Sequence, residues 1–301
     1  MRTLQVLADL QSAVRSARCA GSSIGLVPTM GYLHQGHLTL VERARAECDL
    51  VVMSIFVNPT QFGPQEDFVL YPRDLERDRY LAAEGGVDVL FVPDVDTMYL
   101  GGSGEQQVWV EPGSLADHLC GASRPNHFRG VATVVAKLFN MVQPDRAYFG
   151  QKDAQQAVII GRMARDLSFP IEVRVIATVR ESDGLALSSR NVYLRAGERQ
   201  QAVALSTALE RGRKAIEHGE RDPRKVEQQV LGHLSESAPE ADIDYVTVAD
   251  LNSAKPLERI RAGNVLVALA VFFDRTRLID NIIVRVDSAA LQTDEKAAAQ
   301  R

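Results

Sequence analysis

Cysteine is scarce in this chain of 301 residues: there are three, Cys19, Cys48 and Cys120, odd in number and far apart. That excludes a disulfide framework and the short paired spacings of a metal site. A basic excess is also missing. There are 34 Lys and Arg against 39 Asp and Glu, for a net charge of −5, and no stretch gathers the cations into a stripe that could follow a phosphate backbone. Nucleic acid is therefore not an expected partner. No apolar run approaches the length of a bilayer-spanning helix. The N-terminal MRTLQVLADLQSAVRSA has an amphipathic helical pattern carrying Asp9, where a secretory leader would have an unbroken apolar core. The expectation is a soluble, cytoplasmic protein with reduced thiols and no membrane association. No internal repeat is visible.

What the chain has is a 46% hydrophobic content, enough for one large core or two ordinary domains. Strand-like and helix-like stretches alternate through its first part. IGLVPTM and DLVVMSIFV are apolar and β-branched, with the periodic HLTLVERARAEC between them, as a parallel βαβ unit requires. VDVLFVP, RAYFG and the buried-looking IEVRVIATV supply further strands, and RDLERDRYLAAEGG, GVATVVAKLFNMVQ and DAQQAVIIGRMARDL supply helices. The pattern predicts an α/β class, a Rossmann-like doubly wound parallel sheet. After SSRNVYL come two long charged helices, AGERQQAVALSTALERGRKAIEHG and DPRKVEQQVLGHLSES, then three strand-like runs, which read as a smaller α+β domain. The expected division is a nucleotide-binding domain over 1–181, a small C-terminal α+β lid over 182–288, and a frayed polar tail over 289–301.

The stretch TMGYLHQGHLTLVERAR, residues 29 to 45, joins the first core strand to the first crossover helix. It lies at the carboxyl edge of the sheet, where open α/β folds bind ligands. Gly31 and Gly36 have the spacing of a P-loop, but His37 and Leu38 stand where that loop needs Lys and then Ser or Thr. What remains is a helix N-terminus with free N–H groups and two imidazoles, His34 and His37, that can donate to phosphate oxygens. Gly36 leaves room for a nucleotide against the backbone. The competing reading is a surface histidine pair at a helix start, and a metal site would lack nearby carboxylate or thiolate ligands.

Three further segments fall at the same predicted edge or at the domain junction. FVNPTQFGP carries Asn58 and Gln61, neutral amides suited to hydroxyl or carboxylate groups of a small substrate, although alone it is a Pro-rich turn. YFGQKDAQQ opens a helix with Lys152 and Asp153. Lys152 can neutralise phosphate charge, or can be solvated surface. ESDGLALSSRNVYL offers Ser188, Ser189 and Arg190 as hydroxyl donors and a bidentate phosphate fork, or as a helix cap.

PTMGYLHQGH, FVNPTQFGPQEDFVLYPR, HFRGVATVVAKLFNMVQPDRAYFGQKDAQQ and SDGLALSSRN together resemble the signature segments of the pantothenate synthetase (pantoate–β-alanine ligase) family, from about Pro28 to Leu194. The HxGH pair with a Ser-rich, Arg-ended loop would alone imply only the wider nucleotidyltransferase superfamily. The resemblance implies ATP-driven condensation of (R)-pantoate with β-alanine to pantothenate, AMP and pyrophosphate through a pantoyl adenylate. It implies His37, His34, Lys152 and Arg190 as catalytic, and Met30, Gly31, His34, Gly36, His37, Gly150, Lys152, Asp153, Val179, Leu187, Ser188, Ser189 and Arg190 as the ATP-binding set. Gln61 and Gln156 match the pantoate-binding glutamines, with Asn58 in support. It also implies Mg²⁺ bridging the phosphates, with Asp78 as its partner or else an exposed helix carboxylate, and a homodimer formed through the N-terminal domain. Two positions depart from the usual pattern, Gln151 where Glu is expected and Leu187 where Met is expected. The alternatives are an adenylyltransferase for another acid or nucleotide, which would not need both glutamines, and a noncatalytic nucleotide-binding relative, which would lose His37 or Lys152.

Overall fold

A computed structural model describes residues 1–64 and 66–287. The expected tail at 289–301 lies outside the described residues. The N-terminus corrects the first helical reading: Arg2–Leu4 is a short strand, β1, before helix α1, Leu7–Cys19. Three residues are too few to show a period of two, and β1 exists because its backbone pairs in parallel with a strand far along the chain, Thr3 opposite Leu90.

The predicted βαβ unit follows. Strand β2 (Ile24–Thr29) and strand β3 (Leu50–Ile55) flank helix α2 (Gln35–Glu47) and pair in parallel from Ile24 opposite Leu50 to Thr29 opposite Ile55. Helix α3 (Leu75–Glu84) leads to β4 (Val89–Phe91), and the short helices α4 (Val95–Met98) and α5 (Cys120–Ser123) come next. Helix α6 (His127–Val142) leads to β5 (Arg146–Gly150), and α7 (Ala154–Asp166) to β6 (Glu172–Ile176). All six strands are parallel, in the order β1-β4-β3-β2-β5-β6. Because the order runs outward from β2 in both directions, the chain reverses its winding between β2 and β5, and a crevice outside their carboxyl ends is where such sheets hold ligands. β6 was expected to be buried; it is the edge strand, and Val175 is 49% exposed.

The first of the two charged runs breaks into two helices, α8 (Ala196–Ala202) and α9 (Ala204–Glu217), where one long helix was expected, and the second forms α10 (Pro223–Ser237). Strands β7 (Ala241–Asp250), β8 (Gly263–Phe273) and β9 (Thr276–Val286) form an antiparallel sheet in that order. Leu205, Leu209, Val226, Val230 and Leu234 pack with Val267, Leu269 and Val271 into its core. The described residues divide into two compact units, one comprising Met1–Ala116, Arg124–Val179 and Leu187–Ser189, the other Asp117–Ser123, Arg180–Ala186 and 190–287. Segment 117–123 belongs to the second unit because Ser123 Oγ donates to Asp244 and Cys120 Sγ lies 3.2 Å from Tyr245 Oη. No helix among the described residues is long and apolar enough to cross a membrane.

Candidate functional site

The loop after β2 is shaped by a carboxylate from a distant helix. Asp78 on α3 is 1% exposed, and its two oxygens accept the backbone N–H groups of Tyr32 and Leu33, each at 2.7 Å. Arg77 Nη1 donates to the Leu33 carbonyl at 2.9 Å, which ties the same loop from the other side. Gly31 sits at φ +84°, and a Cβ there would come within 2.9 Å of both Asp78 Oδ2 and Ile55 Cγ2, so glycine is required for conformation and for space. Burial raises the Asp78 carboxyl above its usual range, with the two backbone donors opposing. This corrects the reading of Asp78 as an exposed helix carboxylate: it is buried, and each of its oxygens accepts one backbone N–H of the loop.

α2 then begins with an arrangement of its own. His34 is the N-cap: its Nδ1 accepts the Gly36 N–H at 3.1 Å, and His37 Nδ1 accepts the His34 N–H at 3.2 Å. The free backbone N–H groups expected for phosphate are thus partly taken by the imidazoles themselves, which reassigns the donors. A ring nitrogen that accepts from a backbone N–H carries no proton, so each neutral ring has its proton on Nε2 and offers one donor there. Burial pulls the His34 pKa down to about 4, assisted by the charges of Lys152 and Arg77 and opposed by Asp153. His37 is also pulled well down, by burial and then by His34 and Lys152. Both are neutral at pH 7. The ring centroids are 4.0 Å apart. Gly36 is also constrained within the motif: a Cβ would stand 2.9 Å from His34 Cε1.

Some of the other expected residues lie at this loop, and the rest are placed by their elements alone. Lys152 lies in the turn Gln151–Asp153 directly after β5, across the winding reversal from β2, and its charge acts on both histidines. Ser189 Oγ donates to the Tyr32 carbonyl at 3.2 Å, and Leu187, whose N–H donates to the Val179 carbonyl at 3.0 Å, lies beside Gly36. Asn58 and Gln61, buried in and beside the turn Pro59–Gln61, bond to each other, and Gln61 Nε2 lies 3.1 Å from Met30 Sδ. Gln156 falls in the first turn of α7, half-buried, and Gly150 ends β5. Arg190 lies in the turn Ser189–Tyr193 and is counted with the second unit.

Sequence reasoning passed over Tyr99, Gly130 and the loop-holding role of Asp78. A lone glycine inside the helical pattern HFRGVATVV is a signal of close backbone approach and could have marked Gly130. Tyr99 carries no comparable mark. Among the described residues no group of three or more His, Cys, Asp or Glu side chains is arranged to hold a metal ion.

Comparison with known proteins adds a second line of observation. A family model described as pantoate-beta-alanine ligase matches residues 2–283. The chain is 57% identical to a pantothenate synthetase of Moorella thermoacetica, covering 95% of this chain and 100% of that protein, and 52% identical to one of Geobacillus kaustophilus, covering 98% and 97%. Among solved structures, pantothenate synthetase of Thermus thermophilus is similar with a TM-score of 0.87 at 48% identity, over 94% of this chain and 99% of that one. A pantoate-beta-alanine ligase of Francisella tularensis, solved with β,γ-ATP and β-alanine, has a TM-score of 0.77 at 32% identity, over 94% and 97%.

Proposed function

Because this chain belongs to the pantoate-beta-alanine ligase family, we propose that its His34–His37 loop, Lys152 and the turn holding Gln61 carry the ATP-dependent joining of pantoate to β-alanine. The protein is a ligase that binds ATP as substrate and makes pantothenate. The reading of its site is supported above all by one observation: two neutral imidazoles whose single N–H donors are both Nε2, beside the Lys152 charge at the winding reversal of the sheet.

In the first step the pantoate carboxylate attacks the α-phosphorus of ATP, the bond to pyrophosphate breaks, and negative charge grows on the phosphate oxygens. His34 and His37 donate Nε2–H to those oxygens without first having to lose or gain a proton, and Lys152 supplies positive charge. Such fixed donors stabilise developing charge more effectively than water that must reorient. In the second step the amine of β-alanine attacks the acyl carbon of the adenylate, AMP leaves with the bonding pair, and the nitrogen gives up a proton to solvent as the amide forms. No protein nucleophile is invoked: the four loops hold no cysteine, and catalysis is positioning and electrostatics.

Ser188, Ser189 and Arg190 are assigned to pyrophosphate. Gln61 and Gln156, with Asn58, are assigned to pantoate. Met30, Gly31, Gly36, Gly150, Asp153, Val179 and Leu187 are assigned to the remaining nucleotide contacts. Mg²⁺ enters this reading as part of the nucleotide substrate, with Asp78 as its candidate protein partner. The test is exchange of labelled pyrophosphate into ATP with pantoate present and β-alanine absent. Exchange under these conditions supports the adenylate route, and exchange that requires β-alanine contradicts it.

We also assign the reaction to the cytoplasm and the protein to a homodimer formed through its first unit. Light scattering at micromolar concentration is expected to give twice the chain mass, and a monomer would end that assignment.

A further inference from the structure

The orientation of the Gln61 amide is set, through Asn58, by the Thr60 N–H and the Gly130 carbonyl. Asn58, 1% exposed, accepts the Thr60 N–H on Oδ1 at 3.3 Å and donates from Nδ2 to the Gly130 carbonyl at 3.2 Å. A backbone N–H can only donate and a carbonyl can only accept, so the two ends of the Asn58 amide cannot be exchanged. Tyr99, 0% exposed, donates its hydroxyl to the same Oδ1 at 2.8 Å, and Thr60 Oγ1 does so at 2.9 Å. Burial pushes the Tyr99 phenol up, so it keeps that proton. Asn58 Nδ2 also donates to Gln61 Oε1 at 3.1 Å, which turns Gln61 Nε2 the other way, toward Met30 Sδ at 3.1 Å. One N–H of that nitrogen faces the sulfur, and the amide has a second.

The backbone of Gln61 is held just as specifically. His127 Nδ1 lies 2.8 Å from the Gln61 carbonyl and must donate to it, so in the neutral ring Nε2 accepts from Arg124 Nη1 at 3.0 Å. Arg124 is itself paired with both Glu66 oxygens, at 2.8 and 2.6 Å. Helix α6 rests directly on the turn: a Cβ on Gly130 would fall 2.4 Å from the Thr60 carbonyl oxygen and 2.8 Å from the Gln61 nitrogen.

We propose that Tyr99, acting through Asn58, is a positioning residue that reinforces the orientation set by those backbone groups and so holds Gln61 with an N–H donor toward the acid substrate, where Gln61 recognises an acceptor oxygen of pantoate and never a donor. This rests on the assignment of Gln61 to pantoate. Tyr99→Phe removes one hydroxyl from a buried relay and leaves the ring. Losing a hydrogen bond of this kind is worth on the order of a tenfold change in affinity. The expected result is therefore a rise of roughly tenfold in the KM for pantoate with the KM for ATP nearly unchanged, whereas a merely structural role would move both together with the melting temperature.

Thr60→Val, which removes the weaker hydroxyl donor, is expected to shift pantoate in the same direction by less, and it decides the matter if Tyr99→Phe does not fold. Gln61→Glu, which replaces the presented N–H by an oxygen, is expected to raise the pantoate KM by roughly a hundredfold or more, the scale for a charge set against an acceptor. If Gln61→Glu leaves the pantoate KM unchanged, the assignment of Gln61 fails and the relay falls with it. If Gln61→Glu loses pantoate while folded Tyr99→Phe and Thr60→Val keep the parent KM, the relay alone is wrong.

Discussion

His37 Nδ1 accepts the backbone N–H of His34 at 3.2 Å, so the second histidine of the HxGH motif caps the residue that carries the first. With His34 Nδ1 receiving Gly36 in turn, the motif sets its own tautomers. The consequence is a pair of uncharged donors in a setting where anionic phosphates would suggest cations.

The pH dependence of binding follows from that. The His34 pKa, lowered to about 4 chiefly by burial, puts its charging well below the ordinary histidine range. kcat/KM for ATP reports the free enzyme. Its profile is expected to show no acidic limb near 6.5 from either histidine. A limb near 6.5 that disappears in His34→Asn would show that His34 titrates as an ordinary imidazole.

Stability carries the same shift with a definite sign. In the unfolded chain these imidazoles take up a proton near pH 6.5, whereas folded His34 does so only near 4. Between those values the unfolded state binds more protons, so stability rises with pH across that window and is fully present above it. The melting temperature is expected to fall from pH 6.5 to 4, with a shallower fall in His34→Asn, which keeps a capping oxygen for the helix. An identical slope in the variant would contradict the assignment.

His37→Ala and Lys152→Ala are each expected to lower turnover by roughly 10²–10³-fold or more, the scale for losing one preorganised donor to developing charge. A variant that folds normally and turns over near the parent rate removes that residue from the mechanism.

Asp78→Ala leaves the buried N–H groups of Tyr32 and Leu33 without acceptors, and is expected to cost about 2–6 kcal/mol of stability, from about 1–3 kcal/mol for each buried donor left unmade. Asp78→Asn should cost less, since its carbonyl can still accept. Denaturant unfolding measures this. A variant of unchanged stability that needs far more Mg²⁺ for half-maximal rate would show that Asp78 serves the metal and not the loop.

Much of this site is legible in sequence because periodicity locates it. Once IGLVPT and RAYFG are strands followed by helices, His34, His37 and Lys152 must lie at the carboxyl edge of one sheet, wherever the details fall. What periodicity cannot carry is contact at long separation. Asp78 reaches the Tyr32–Leu33 loop across some 45 residues, and Tyr99 reaches Asn58 across 41. The histidine tautomers were hidden for another reason: they depend on which backbone N–H each ring meets, a matter of ångströms inside one turn. Strand β1 escaped because three residues paired to a distant strand have no local signature.

The most direct measurement is AMP formation by the purified protein with ATP and Mg²⁺, with pantoate and β-alanine each present or withheld. AMP and pantothenate in equal amounts, at a sustained rate only when both are present, is the expected result. No AMP with both present, while another acid or nucleotide supports turnover, would contradict the assignment of this site to pantoate and β-alanine.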